Sequence, residues 1–318
     1  SMESAITVAA LSKRFGDRQV LDQVSFSVAR GETLVVLGRS GTGKSVLLRC
    51  LIGLLQPDAG RALVLGRDLN AMPEAGRLLH RRKIGYVFQG SALFDSLSIL
   101  ENVGFPLFER RVAPEKIRAK VIERLRMVGL EQTIDQYPAQ LSGGMRKRAA
   151  LARALIELPE VVLYDEPTTG LDPLTTDVIN QIILRLRSSL QVTSVVVTHD
   201  IKSAFTIADR IIMIDAGRVV CEGTPAEIET CQSPWVHRFI TGQALDSEMV
   251  ESGMFAVGQS SVLLRNSGLL AARPSESGPL PAQTGQLSGS VRRGAIRNRS
   301  RKSGTASDSG DGESEIGR

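Results

Sequence analysis

The sequence predicts an α/β fold whose mainly parallel sheet is covered on both faces, and three observations carry that expectation. Short apolar, β-branched runs alternate with helix-period segments through the middle of the chain. The string Gly38-Arg39-Ser40-Gly41-Thr42-Gly43-Lys44-Ser45 fits the phosphate-loop pattern GxxxxGK[ST] and stands between one such run and one such helix. The chain has 318 residues, 42% hydrophobic and 23% charged, enough for one large α/β domain or two small ones with a buried core.

Taken in order, residues 6–30 alternate apolar and polar, with Val20, Val24, Phe26 and Val28 on one face, as half-buried antiparallel strands do. Residues 33–37 read as a buried strand and 46–52 as a helix whose positive end favours an anion. A short strand pair is expected near 61–65, a helix over 73–82 and a strand over 84–88 that ends at Gln89. From 93 to 159 the pattern turns helical, and Pro114 opens a run in which Ile117, Val121, Leu125 and Val128 recur at helix spacing. Strands over 161–164, 192–198 and 211–215 then alternate with helices over 175–190 and 201–208. Asp215-Ala216-Gly217-Arg218 predicts a hairpin turn into Val219-Val220.

Past 241 the composition shifts to Ser, Gly and Pro. A basic run (Arg292, Arg293, Arg297, Arg299, Arg301, Lys302) precedes an acidic end. Such a stretch buries too little apolar area to offset ordering entropy, so a largely disordered tail is expected. Its first part, with Met254, Phe255, Leu263 and Leu264, is suited to docking on a partner subunit.

Charge and composition narrow the function. A net charge of +5, from 39 basic and 34 acidic side chains, suits a negatively charged neighbour without demanding one. One Trp and three Tyr leave little aromatic surface for stacking nucleic-acid bases. Three cysteines without CxxC spacing suggest free thiols in a reducing compartment. No run of eighteen apolar residues and no signal-peptide core occurs, so the chain is not expected to cross a membrane alone.

The chemistry-bearing residues centre on phosphate. Glycines at 38, 41 and 43 let backbone N–H groups curl around phosphate oxygens, with Arg39, Ser40 and Thr42 between them. Lys44 reaches the β- and γ-phosphates and the Ser45 hydroxyl holds Mg²⁺. An apolar strand ends in Asp165-Glu166, placing one carboxylate to anchor Mg²⁺ and the next to polarise a water for in-line attack, although such pairs are common at strand ends. Ser142 reads as the N-cap of an alanine-rich helix, with Gly143 and Gly144 permitting close phosphate approach; a merely capped helix is the plain alternative. His199 follows a strand where a γ-phosphate contact is reasonable, and Gln89 at another strand end suits Mg²⁺ or the lytic water. A lone His, though, is more often structural. Phe15 either stacks on adenine or sits in the core. A dinucleotide GxGxxG is broken by Val46, and no NKxD guanine-specificity string occurs.

In this order the residues resemble an ABC-type ATPase over roughly 5–240. The resemblance rests on Phe15, Walker A at 38–45, Gln89, the signature Leu141-Ser142-Gly143-Gly144-Met145, Walker B ending at Asp165, Glu166, Thr169-Gly170-Leu171-Asp172 as D-loop, and His199. It implies a P-loop NTPase with a RecA-like core, an antiparallel β subdomain and a helical subdomain at about 93–157, followed by a low-complexity extension over 241–318. It also implies catalysis by Glu166, His199 and Lys44, with Ser45, Gln89 and Asp165 at Mg²⁺. ATP would be sandwiched in a homodimer between one subunit's Walker A and the other's signature.

More narrowly, Ala92-Leu93-Phe94-Asp95-Ser96-Leu97, Glu101-Asn102-Val103-Gly104-Phe105-Pro106-Leu107 and a signature running into Arg146-Lys147-Arg148 resemble the ATPase of Mla/Mce-type lipid transporters. So does Met145, where most signatures carry glutamine. That resemblance implies a peripheral subunit on the cytoplasmic side of the inner membrane. There it would drive an integral permease, with a periplasmic Mce-type binding protein, to move phospholipid between membranes, and it would have no nucleic-acid partner. Amino-acid and metal importers share the framework. A soluble ABC ATPase acting on DNA or ribosomes is an alternative from another class, supported by the basic run at 292–302 and opposed by the single cassette without a coiled-coil insertion.

Overall fold

The computed structural model describes residues 3–242; the expected tail lies outside the described residues beyond its first two positions. Two long antiparallel strands, β1 (Ser4–Phe15) and β2 (Arg18–Ala29), open the chain. There follow β3 (Thr33–Leu37), α1 (Lys44–Leu51), β4 (Ala59–Val64), α2 (Glu74–Arg81) and β5 (Ile84–Val87). Three helices come next, α3 (Ile99–Glu109), α4 (Pro114–Met127) and α5 (Gly143–Ala154). The remainder alternates β6 (Val161–Asp165), α6 (Pro173–Leu190), β7 (Thr193–Thr198), α7 (Ile201–Ile207) and β8 (Arg210–Asp215). It closes with β9 (Arg218–Gly223), α8 (Pro225–Glu229) and α9 (Pro234–Thr241).

The strands form two sheets among the described residues. One is antiparallel in the order β2-β1-β4; the other runs β5-β6-β7-β3-β8-β9 and is parallel except for β9. Every residue of β3, β6 and β7 is buried, as expected of a parallel sheet covered on both faces. Alternate side chains feed two separate cores. Val35, Leu37, Val162, Tyr164 and Val196 pack with α3 to α6. Leu34, Val36, Val161, Leu163, Val195 and Val197 pack with α1 and the antiparallel sheet. The period-2 geometry of a strand makes this division automatic.

Three local expectations are revised. The strand pair near 61–65 is one strand, β4, paired with β1; its return is a single bridge between Val64 and Arg67. Asp68 turns the chain back on itself there, its carboxylate accepting from the Asn70 N–H at 2.9 Å, so no second strand can continue. The helical stretch expected from 93 begins instead at Ile99, with Ser98 and Glu101 forming a capping box. Ser91 and Ala92 are left-handed (φ 65° and 50°), and buried Asn102 binds the carbonyls of Phe94, Leu97 and Ser98, which holds 92–98 as a loop. The strand expected to reach Phe88 stops at Val87. The 215–218 hairpin forms with Ala216 and Gly217 both left-handed, as a type I′ turn requires.

Candidate nucleotide site

In register, Val87 pairs with Tyr164, Asp165 with Val197, and Leu37 with Thr198. The carboxyl ends of β5, β6, β7 and β3 therefore finish level. Gln89, Asp165-Glu166, His199 and the phosphate loop emerge side by side, where ligands of open α/β sheets bind. A cleft of about 320 Å³ lies along this edge, lined by Phe15, Gly41, Lys44, Ser45, Gln89 and Glu166 among others. Phe15 is 49% exposed at the end of β1, which removes the core alternative for it.

The loop is shaped by close approach. Gly43 caps α1 with φ 97°, and a Cβ there would lie 2.6 Å from the Val20 carbonyl oxygen. Any other residue would push the loop off the antiparallel sheet. Lys44 is 5% exposed; its ammonium donates to the Gly38 and Arg39 carbonyls, each at 2.8 Å, and lies 3.6 Å from Glu166 Oε1. Burial lowers its pKa, and the Glu166 and Asp165 charges oppose that shift.

Asp165 receives the Ser45 hydroxyl at 2.6 Å on one oxygen and the Tyr86 hydroxyl at 3.2 Å on the other. Burial first, then the Asp165 charge, raise the Tyr86 pKa, so Tyr86 stays a donor. Glu166 is buried with φ 50°, a conformation that costs a non-glycine residue on the order of 1–3 kcal/mol. Its N–H donates to the Val197 carbonyl at 2.9 Å. Its Oε2 accepts from Thr169 Oγ1 at 3.0 Å and lies 2.9 Å from His199 Nδ1. The strained backbone aims the carboxylate at the imidazole and at Lys44 rather than into the sheet.

Mg²⁺ fits these donors. Ser45 and Asp165 supply hard oxygens already in contact, and Gln89 lines the same cleft. Among the described residues no three His, Cys, Asp or Glu converge as a dedicated cage. Mg²⁺ usually takes one or two carboxylates together with substrate phosphates and water.

The signature stands apart. Ser142 caps α5 through the Met145 N–H at 3.2 Å, and both Ser142 and Gly143 are exposed, yet none of residues 141–145 lines the cleft. Gly144 has a second requirement: a Cβ there would sit 2.3 Å from Thr175 Cγ2 in α6. Gly144→Ala should therefore lower stability by about 1–3 kcal/mol in denaturant melts. Gly143→Ala, whose Cβ meets nothing closer than 4.0 Å, should stay within about 0.5 kcal/mol. Equal losses would show that Gly144 does not set the packing of α5 on α6.

Sequence reasoning missed the support given to this region by three residues. Besides Tyr86, they are two cations of α5. Lys147 donates to the Thr169 and Glu166 carbonyls at 2.7 and 3.3 Å, and Arg153 to those of Ala92 and Ser91 at 2.7 and 3.1 Å. Arg148 likewise binds the Val128 carbonyl at 3.0 Å. The basic side chains of α5 thus clasp main-chain carbonyls. No local pattern marks these contacts, because every acceptor comes from a different stretch of the chain.

Residues 21–169 match the family described as ABC transporter. The chain is 43% identical over 241 residues to the sulfate/thiosulfate import ATP-binding protein CysA of Bordetella parapertussis, covering 74% of this chain and 67% of that protein. It is 39% identical over 245 residues to the probable ribonucleotide transport ATP-binding protein mkl of Mycobacterium leprae, covering 77% and 71%. Among solved structures, the dimeric, post-hydrolysis state of the ATP-binding cassette MJ0796 with ADP and Pi matches with a TM-score of 0.65 at 34% identity. It covers 69% of this chain and 98% of that one. CbiO1 of Clostridium perfringens, part of the transporter complex cbiONQ, matches with a TM-score of 0.66 at 28% identity, covering 82% and 99%.

Proposed function

Because the chain belongs to the ABC transporter family as its ATP-binding and ATP-hydrolysing subunit, we propose that two copies close around two ATP molecules to drive a membrane permease that moves phospholipid. One observation carries the catalytic part: Glu166, His199, Lys44, Ser45 and Asp165 converge at one cleft. Ser142 and Gly143 are exposed elsewhere, so each protomer's signature is available to a partner's nucleotide.

Phe15 stacks on the adenine, and residues 38–45 wrap the phosphates with N–H groups. Lys44 exchanges its loop carbonyls for β- and γ-phosphate oxygens. Ser45, Asp165 and Gln89 would hold Mg²⁺, which would supply neutralisation of phosphate charge when bound. Glu166 accepts the proton of the attacking water, and His199 holds that carboxylate while contacting the γ-phosphate. Ser142, Gly143 and Gly144 of the second copy complete the site. Two copies are thus the working unit, on the cytoplasmic side of the membrane.

The phospholipid reading is supported by where its sequence resemblance falls. Residues 92–97 and 101–107 meet at a second groove, of about 540 Å³, lined by Phe88, Phe94, Phe105, Pro106, Tyr86 and Arg153 among others. Phe94 is 46% and Phe88 39% exposed there. An exposed aromatic groove of that kind suits a permease segment, so likeness in these stretches is likeness in the partner surface. An Mla/Mce-type permease with its periplasmic binding protein is the partner this reading names. The relatives named for sulfate/thiosulfate import favour a second reading, an ATPase of an anion importer.

Isolating the chain with its co-purifying membrane protein and identifying the bound small molecules by mass spectrometry tests both. Retained phospholipid, with turnover stimulated by phospholipid vesicles, supports the first. Turnover stimulated only by sulfate with its binding protein supports the second and removes the first.

A further inference from the structure

The turn that carries Glu166 has few main-chain hydrogen bonds: the Glu166 N–H reaches the Val197 carbonyl at 2.9 Å and the Leu171 N–H the Thr168 carbonyl at 3.2 Å. Between β6 and α6, Glu166 is left-handed, Pro167 offers no donor, and Thr169 closes the turn by a long 3.4 Å bond from its N–H to the Glu166 carbonyl. Two carbonyls, those of Glu166 and Thr169, point out of this turn towards α5. Lys147 Nζ occupies the space between them, at 3.3 and 2.7 Å. Lys147 lies one helical turn from the α5 start that bears Ser142, Gly143 and Gly144, and its half-buried stem packs on the way to the turn.

We propose that Lys147 is a positioning residue for ATP hydrolysis. By clasping the Glu166 and Thr169 carbonyls it holds the left-handed turn that aims the Glu166 carboxylate, and it ties that aim to the helix carrying the signature. This inference deepens the reading of Glu166 as the base and rests on it.

The physical logic is specific to an ammonium. A single –NH₃⁺ presents three donors and can bind two diverging carbonyls at once, with a charge and a reach that a neutral glutamine amide lacks. Charge-assisted hydrogen bonds are roughly twice as strong as neutral ones, which helps offset the strained φ of Glu166. Thr169 serves both sides of the arrangement, since its carbonyl accepts from Lys147 and its hydroxyl donates to Glu166 Oε2. A shift of Lys147 is therefore transmitted to the carboxylate through one residue.

The test uses the full chain with Lys147→Met, Lys147→Arg, Glu166→Gln and the double variant Lys147→Met with Glu166→Gln. ATPase rates and ATP affinity are measured, and thermal melts monitor folding. Lys147→Met should lower kcat by about tenfold or more, as small misplacements of a catalytic group do, while KM for ATP changes less than about twofold. Lys147→Arg should recover a large part of the rate. In the Glu166→Gln background, Lys147→Met should lower the residual rate by less than about twofold, since a residue acting only through the carboxylate has nothing left to position.

A fall in KM-limited binding with kcat intact, or a full tenfold loss in the double variant, would overturn the proposal. If Lys147→Met melts before assay, Lys147→Gln, which keeps a polar end but falls short of the two carbonyls, carries the same comparison with and without Glu166→Gln. Should Glu166→Gln alone retain normal turnover, it is the assignment of the base that fails. That outcome is separate from a failure of Lys147 to couple to it.

Discussion

Glu166→Gln should stop turnover and leave the protein locked around ATP as a dimer. The substitution keeps the size of the side chain and its capacity to accept from Thr169 Oγ1, so the turn that carries it survives. What it removes is the basicity needed to take a proton from the attacking water, which contributes about 10²–10⁴-fold to such reactions. The rate should fall by that factor, about 3–5 kcal/mol in the barrier. On the proposed assignment nucleotide binding rests on Lys44 and the loop amides, so it should persist. The expected readout is an ATP-dependent shift from monomer to dimer in light scattering that does not reverse over the lifetime of the wild-type complex. A variant that stays monomeric with ATP, or that hydrolyses at the normal rate, would show that Glu166 is not the base.

Lys44→Ala should abolish measurable nucleotide binding. Hydrogen bonds to charged groups contribute about 1.5–3 kcal/mol each, so losing contacts to two phosphates costs about 3 kcal/mol or more, at least ~100-fold in affinity. The structure adds a complication. The same ammonium binds the Gly38 and Arg39 carbonyls, and Lys44 is nearly fully buried, so its removal also strips the loop of internal partners. Lys44→Met fills the space but also lacks the ammonium, so it separates lost packing from lost donor contacts. If binding fails in both variants while the thermal melt falls only in Lys44→Ala, the ammonium and not the volume of the side chain decides affinity. Retained affinity in either would show that the loop does not hold phosphate as described.

Much of this site was legible from residue order alone. The phosphate loop needs a fixed spacing of glycines, Lys44 and Ser45 within eight positions, and such contiguous strings survive any uncertainty about the fold. Asp165-Glu166 was readable for a similar reason, as a pair of carboxylates closing a fully apolar strand. Phe15 was not decidable from spacing, because an aromatic at a strand end is as compatible with the core as with an edge; its exposure settles only that choice. The loop over 93–98 was read as helical because apolar spacing ignores the two left-handed residues before it and the Asn102 hydrogen bonds beneath it. Those are contacts at short range in space that leave no period in the sequence.

Tyr86, Lys147 and Arg153 were invisible for a deeper reason. Each acts on a main-chain or carboxylate oxygen that belongs to another element, 79, 19 to 22 and about 60 residues away. Such pairs exist only once β5 lies beside β6 and α5 lies beside the β6–α6 turn.

The sequence by itself determined which residue strings stand at the ends of its strands, a phosphate-loop pattern, an acidic pair and a histidine, and that alternating strands and helices carry them. Only the tertiary structure decided that β5, β6, β7 and β3 stand adjacent with level carboxyl ends, so that residues from separate stretches meet at one sheet edge while Ser142 does not line the cleft there. The reason is physical. Motif chemistry is written in contiguous residues, whereas strand order is set by how two hydrophobic cores fill on opposite faces of one sheet, a sum over many long-range contacts that no single segment encodes.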